Sequence, residues 1–244
     1  VYYPPGSTVP GLGLLGVATR ALRVTCRVNL EGTFSRAVGL NSIPVERSAT
    51  VMLGPVGGAP ILPMWVDAAT PYSYGQSTNL LMADGPCYPG IPGNFGFLQL
   101  HPGVTCSWAD LMSGSNYTLA DLEAQYAEVG GYENGLTGLK VGHWVPALQS
   151  RIDRANANYP GETFSSFSTT NPRILVIPLV TYIGGTGEGA DFRIERFGAY
   201  WLQALAGSGS NKYIQGRFIQ YTAPGLTMDA LAPDCGMYVF KLVR

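Results

Sequence analysis

"RILVIPLVTYIGGTGEGADFRIERFGAYWLQAL", residues 173–205, decides the architecture. Residues 173–183 are apolar on both faces, the pattern of a strand covered from two sides. Gly185-Thr186-Gly187-Glu188-Gly189-Ala190 follows, and its glycines suit a tight reversal between strands. Phe192 and Ile194 then alternate with Arg193 and Glu195, and Tyr200 and Trp201 bring burial to both sides. Strand, glycine turn and strand make an antiparallel hairpin.

Working outward, "NKYIQGRFIQYTA" (211–223) and "CGMYVFKLVR" (235–244) read as two further strands. On the N-terminal side, "ALRVTCRV" (21–28) alternates Leu22, Val24, Cys26 and Val28 with Arg23, Thr25 and Arg27. "IPVERSATVML" (43–53) alternates again, and "PILPMWVDA" (60–68) is expected as a new strand after a turn at Gly57-Gly58. "NFGFLQL" (94–100) sits between Gly/Pro-rich loops. "GTFSRAVGLNS" (32–42) suits a short helix closed by Gly39.

The middle changes period. Thr118 and Asp121 form a capping-box-like start for a helix through "LADLEAQYAEV" (119–129), stopped by Gly130-Gly131. Leu119, Leu122, Tyr126 and Val129 keep helical spacing. A second helix is expected over "VPALQSRIDRANA" (145–157), with Pro146 in its first turn. The expected fold is mainly β (α+β): an antiparallel domain of about nine or ten strands with a helical insertion near residues 107–157. Residues 1–16, rich in Pro and Gly, read as a flexible or exchanged arm, and 17–244 as one β-rich domain.

Composition narrows function. Only 13% of the 244 residues are charged and the formal net charge is −1, against about 25% charged in typical soluble domains. A surface so poor in charge offers little to repel a neighbour, which favours self-association. The 15 basic residues are scattered among 16 acidic ones, which argues against nucleic acid. No apolar run approaches the roughly 18 residues of a membrane helix. The chain opens at Val1 without a signal peptide, so an upstream segment is expected to have been removed or to lie elsewhere.

Four cysteines, Cys26, Cys87, Cys106 and Cys235, contain no C-x-x-C pair, and His101 and His143 stand far apart. That disfavours zinc and suits two disulfides in an exported protein, with four free thiols as the other possibility. Cys87–Cys106 would close a Gly/Pro-rich loop, and Cys26–Cys235 would tie the first strand to the last.

Gly11-Leu12-Gly13-Leu14-Leu15-Gly16 spells a dinucleotide-loop motif, but a Pro-rich terminus precedes it and an alternating strand follows. A phosphate loop needs a strand before and a helix after. Gly185 to Ala190 fails the same test because period two follows. Glu188 and Asp191 lack the D-x-D-x-D spacing of a calcium loop, so neither metal nor cofactor is expected. There is no G-x-S-x-G elbow. His143 beside Trp144, expected at a strand end, reads as a packed or surface histidine. Asp67, Asp84, Asp110, Asp121, Glu123 and Asp153 show no pairing that would make an acid–base site. No catalytic residues are expected. The 14 Tyr, 9 Phe and 4 Trp fill a β core or line a glycan groove. Asn116-Tyr117-Thr118 matches a glycosylation sequon.

"LRVTCRVNLEGTFSRAVGLNSIPVERSATVML" (22–53) resembles a segment of TadE/TadG-like proteins of the tight-adherence (Flp) pilus-assembly group. Val24-Thr25, Phe34-Ser35-Arg36, Gly39 and Val45 to Thr50 carry the likeness. "PILPMWVD", "GNFGFLQL", "VGHWVPALQSRID", "PRILVIPLVTYIGG" and "FRIERFGAYWLQALAG" follow in the order of that family's exported region. The resemblance spans about residues 21–221. It implies a β-rich domain outside the cytoplasmic membrane, a structural or assembly role, and no catalysis. The family's N-terminal apolar helix is missing from this chain, and Glu46 and Arg47 replace small apolar residues. A released, processed exodomain is therefore expected.

The expected function is that of an extracellular or envelope structural subunit. It would self-assemble into a filament, tube or pilus-related appendage, with Val1, Tyr2, Tyr3, Pro4 and Pro5 reaching a neighbouring subunit. A monomeric adhesin or glycan-binding module is the alternative, and a hydrolase the remote one.

Overall fold

A computed structural model describes residues 2–3, 8–9, 13–14, 19–30, 36, 39, 42–71, 73–80, 94–138, 141–223, 226–228 and 236–243. The chain packs as two compact units. Residues 1–54 with 240–244 form the smaller, and 55–239 the larger. The fold is mostly β, as expected, and the described residues 108–158 hold three helices where two were expected.

The smaller unit holds β1 (Tyr2–Tyr3), β2 (Thr8–Val9), β3 (Gly13–Leu14), β4 (Thr19–Leu30) and most of β5 (Ile43–Pro60). β4 and β5 run antiparallel without a register break from Arg20↔Leu53 to Leu30↔Ile43. β1 folds back onto the start of β4, with Tyr2 opposite Arg20 and Tyr3 opposite Thr19. β2 pairs with β3. Within the expected short helix, Arg36 is helical and Gly39 takes a φ of 82°. The rest of 32–41 lies outside the described residues.

The larger unit holds β6 (Val66–Asp67), β7 (Ser77–Leu80), β8 (Asn94–Leu98), α1 (Trp108–Ser113), α2 (Leu119–Ala124), β9 (Tyr126–Glu128) and β10 (Tyr132–Thr137). They are followed by α3 (Val141–Asn158), β11 (Ile174–Gly184), β12 (Asp191–Ala206), β13 (Tyr213–Ile219), β14 (Tyr221–Thr222), β15 (Thr227–Met228) and β16 (Met237–Val243), whose last residues belong to the smaller unit. Six of these sixteen described strands are only two residues long.

β12 organises the larger unit, pairing with β11 on one edge and with β10 and β13 on the other. Both faces are covered. On one, α3 lays Trp144, Leu148 and Ile152 against Ile177, Tyr200, Leu202 and Phe218. On the other, Phe192, Ile194 and Trp201 pack with Ile61, Trp65 and Met237. Two-sided burial is why 173–183 needs apolar residues at consecutive positions. Gly187–Gly189 forms one 3-10 turn between β11 and β12, so the glycine cluster is a hairpin connection.

Four local expectations are corrected. β5 runs straight through Gly57 and Gly58 instead of turning there. Gly58 is paired with Thr227 on one side and Glu128 on the other. A Cβ on it would stand 2.6 Å from Tyr126 Oη and 2.8 Å from Thr227 Oγ1, so this glycine serves close approach, not chain reversal. Beyond Pro60, which ends β5, "PILPMWVDA" is a strand only at Val66–Asp67, parallel to β11.

The helix from Leu119 ends at Ala124, because Tyr126–Glu128 joins the edge of β5. Its expected cap is present: the Thr118 side chain accepts from the Asp121 amide, and Asp121 accepts from the Thr118 amide. The last helix starts at Val141, which places Pro146 and His143 inside it. His143 is exposed and Trp144 fully buried.

Candidate assembly surface

Alternation sorts the β4–β5 hairpin into two unlike faces, because opposite residues of an antiparallel pair share a face. One face carries Arg23 opposite Thr50, Thr25 opposite Ser48 and Arg27 opposite Glu46. Its polar groups are joined across the ladder. Arg23 Nε donates to Thr50 Oγ1 at 3.2 Å, and Arg27 Nε to Glu46 at 3.0 Å.

The opposite face carries Leu22 with Val51, Val24 with Ala49, Cys26 with Arg47, Val28 with Val45, and Leu30 with Ile43. Folding leaves this apolar face in solvent. Leu22 is 66% exposed, Val24 58% and Leu30 54%. Val28 and Ile43 are exposed as well, and so are Phe240 and Leu242 in the same unit. Single exposed apolar residues are ordinary, but a contiguous row of them marks a contact surface.

The hairpin also presents an edge. β4 has β5 on one side, and on the other, among the described residues, β1, which covers Thr19 and Arg20. Among the described residues no strand pairs with the outer edge of Leu22–Leu30. A long edge without bulge or proline is a template for another strand.

The expected site residues fall as follows. Tyr2 and Tyr3 pair with β4 of their own chain, while Val1, Pro4 and Pro5 lie outside the described residues. Among the described residues Cys26 is a free, exposed thiol on the apolar face and Cys106 is a free thiol next to the α1 cap. Cys87 and Cys235 lie outside the described residues. Of the first glycine motif, Gly13–Leu14 is strand paired with Thr8–Val9, not the opening of a helix. Thr137 Oγ1 donates to Glu188 at 3.3 Å. Among the described residues no three His, Cys, Asp or Glu side chains converge as metal ligands, and no helix is long and apolar enough to cross a membrane.

The larger unit contains two polar constellations that sequence reading missed. His101 Nε2 lies 2.6 Å from Glu133 Oε2 and Nδ1 lies 3.0 Å from the Ala124 carbonyl oxygen. With an acceptor at each ring nitrogen the site favours the imidazolium form, and the Glu133 hydrogen bond raises the His101 pKa above the ordinary histidine value. Nothing in the spacing of residues 101, 124 and 133 announces this meeting.

Arg151, half-buried, donates Nε to the Met112 carbonyl, Nη1 to Pro172 and Nη2 to Leu111. Arg154 donates to the carbonyls of Gly114 and Ser113. The two guanidinium groups thereby satisfy the carbonyls at the C-terminal end of α1. They also line a cavity of about 390 Å³ with Tyr117, Asn158, Tyr159 and Asn171.

Comparison with protein-family models, curated proteins and solved structures found no match to this chain.

Proposed function

We propose that this chain is a non-catalytic structural subunit of an extracellular or envelope assembly, built by association of copies of itself. The observation that carries the reading is the exposed apolar face of the β4–β5 hairpin, whose Leu22, Val24 and Leu30 are each more than half exposed. Leaving these side chains in water costs about 1.5–3 kcal/mol for each that a partner would bury. A second copy is the occupant because the chain supplies few charges to keep copies apart, with a net charge of −1 over 244 residues. The resemblance of residues 22–53 to TadE/TadG-like proteins, in which such a segment belongs to pilus assembly, points the same way.

Sedimentation velocity across a hundredfold concentration range, with electron microscopy of the concentrated sample, tests the reading. Concentration-dependent oligomers or ordered polymers are expected. A monomer throughout would overturn it.

The cavity beside α1 favours a second reading, a glycan-binding module. Its lining joins aromatic faces (Tyr117, Tyr159, Tyr221) with amide and guanidinium donors (Asn158, Arg154), the mixture that sugar rings and hydroxyls require. A glycan array without hits would remove this reading.

A further inference from the structure

The free edge of β4 and the order of residues along it define how two copies meet. We propose that β4 pairs antiparallel with β4 of a second copy about a two-fold axis through Cys26. The inference rests on the self-association reading and specifies its interface.

Three constraints select this register. First, residues opposite each other in an antiparallel pair share a face, so only registers joining even with even positions keep the apolar faces of both copies on one side. Second, the outer edge of Thr19 and Arg20 is taken by β1, which leaves Leu22–Leu30 for a partner, and Cys26 is the middle of that segment. Third, charge rejects the neighbouring registers. Centring on Thr25 sets Arg23 against Arg27 of the other copy, and centring on Arg27 sets that arginine against itself; directly opposed like charges are destabilising.

Centring on Val24 drives Val28 and Asn29 into the positions β1 already holds. Centring on Val28 leaves little more than half of the free edge paired. With Cys26 at the centre, Leu22 meets Leu30, Val24 meets Val28, Arg23 meets Asn29 and Thr25 meets Arg27. All apolar positions then face apolar positions, and no arginine faces another.

The product is a four-stranded antiparallel sheet, β5-β4-β4-β5, whose one face is apolar except for Arg47 of each copy, opposite Cys26. Edge pairing closes on itself with two-fold symmetry. The apolar face stays open for a further contact, so one isologous contact at the edge and another at the face generate a chain of copies instead of a closed dimer.

Cys26 makes the register readable. Facing Cα atoms in an antiparallel pair stand about 4.5–5.5 Å apart, within the roughly 4.4–6.8 Å range that a disulfide spans. With the azo oxidant diamide, two Cys26 thiols lose two protons and two electrons to the reagent, which becomes the hydrazine, and one S–S bond forms.

The experiment uses the whole chain at a concentration where sedimentation shows it associated. Diamide is expected to yield a covalent dimer whose linked peptide, by mass spectrometry, joins Cys26 to Cys26. The dimer is expected to vanish in Cys26→Ser. A mixture of the V24C and V28C chains, each also carrying C26S, is expected to crosslink as the mixed pair at least tenfold more than either variant alone. Associated protein that forms neither the Cys26 bond nor the mixed pair overturns the register and leaves self-association standing. A protein that stays monomeric overturns both.

Discussion

His101 and Glu133 form an ion pair of 2.6 Å, with the imidazole 23% and the carboxylate 5% exposed. The Ala124 carbonyl occupies the other ring nitrogen at 3.0 Å. Deprotonation of the ring therefore breaks one of two contacts and leaves a buried acceptor without its donor.

The consequence for pH follows from the direction of the shift. The folded pKa of His101 lies above its ordinary value of 6.5, so its contribution is fully present below about 6.5. It is lost as the pH climbs through the raised folded value. Denaturant unfolding at pH 6 and pH 8 is expected to show lower stability at the higher pH. His101→Gln is expected to remove most of that difference and to cost about 1–3 kcal/mol at pH 6, by leaving Glu133 unpaired. An unchanged pH slope in the variant would show that another group carries it.

Gly216 permits the closest approach within the β12–β13 pair. A Cβ there would lie 2.1 Å from the Trp201 carbonyl oxygen and 2.6 Å from the Tyr200 ring. Neither can retreat, because Tyr200 is fully buried and its hydroxyl is bonded to the Thr78 carbonyl. Gly216→Ala is expected to destabilise the fold by at least about 1–3 kcal/mol, seen as a lower midpoint in chemical denaturation. A midpoint within error of the parent protein would refute the packing.

Residues 173–205 were legible because one side-chain period governs each part, and two-sided burial leaves a continuous apolar run. The Gly57-Gly58 misreading has the opposite cause. A glycine pair signals chain reversal or close packing equally well, and only Tyr126 and Thr227, distant in sequence, decide between them. The end of α2 was hidden for a similar reason. Tyr126 and Val129 keep helical spacing, yet pairing with β5 captures residues 126–128. The hairpin's alternation was plain in the sequence, but a half-buried strand and an uncovered one share the same pattern. Exposure, the property that matters for assembly, depends on what the rest of the chain leaves uncovered.

Arg151 and Gly114 are coupled at the end of α1. Gly114 closes the helix with a φ of 66°, and a Cβ on it would lie 2.7 Å from the Arg151 Cζ. Burial lowers the Arg151 pKa to about 10, yet the group stays charged and supplies three donors to backbone carbonyls. Arg151→Met is expected to cost about 1–3 kcal/mol by stranding those carbonyls. Gly114→Ala is expected to cost a similar amount through strain and displacement of the guanidinium. The double variant is expected to lose less than the sum, since the second change strikes an interaction already broken. Strict additivity in denaturant midpoints would show the two sites to be independent.

The apolar face of β4 offers the most direct control over association. Val24 lies mid-strand, 58% exposed, with only Ala49 opposite it. Val24→Glu places a charge there without emptying any packed site of this chain, so monomer stability is expected to change by no more than about 0.5 kcal/mol. Association is a different matter: burying that carboxylate against a second apolar face requires desolvation with no partner. The self-association constant is expected to fall at least tenfold by sedimentation equilibrium. Sulfate, which strengthens apolar burial, is expected to promote association of the parent protein. Thr25→Glu, on the polar face, separates the two contacts. It is expected to spare face-to-face stacking, and at the β4–β4 edge to sit opposite Arg27 of the second copy. If Val24→Glu leaves association unchanged while Thr25→Glu abolishes it, the contact lies on the polar face and the apolar row is not the interface.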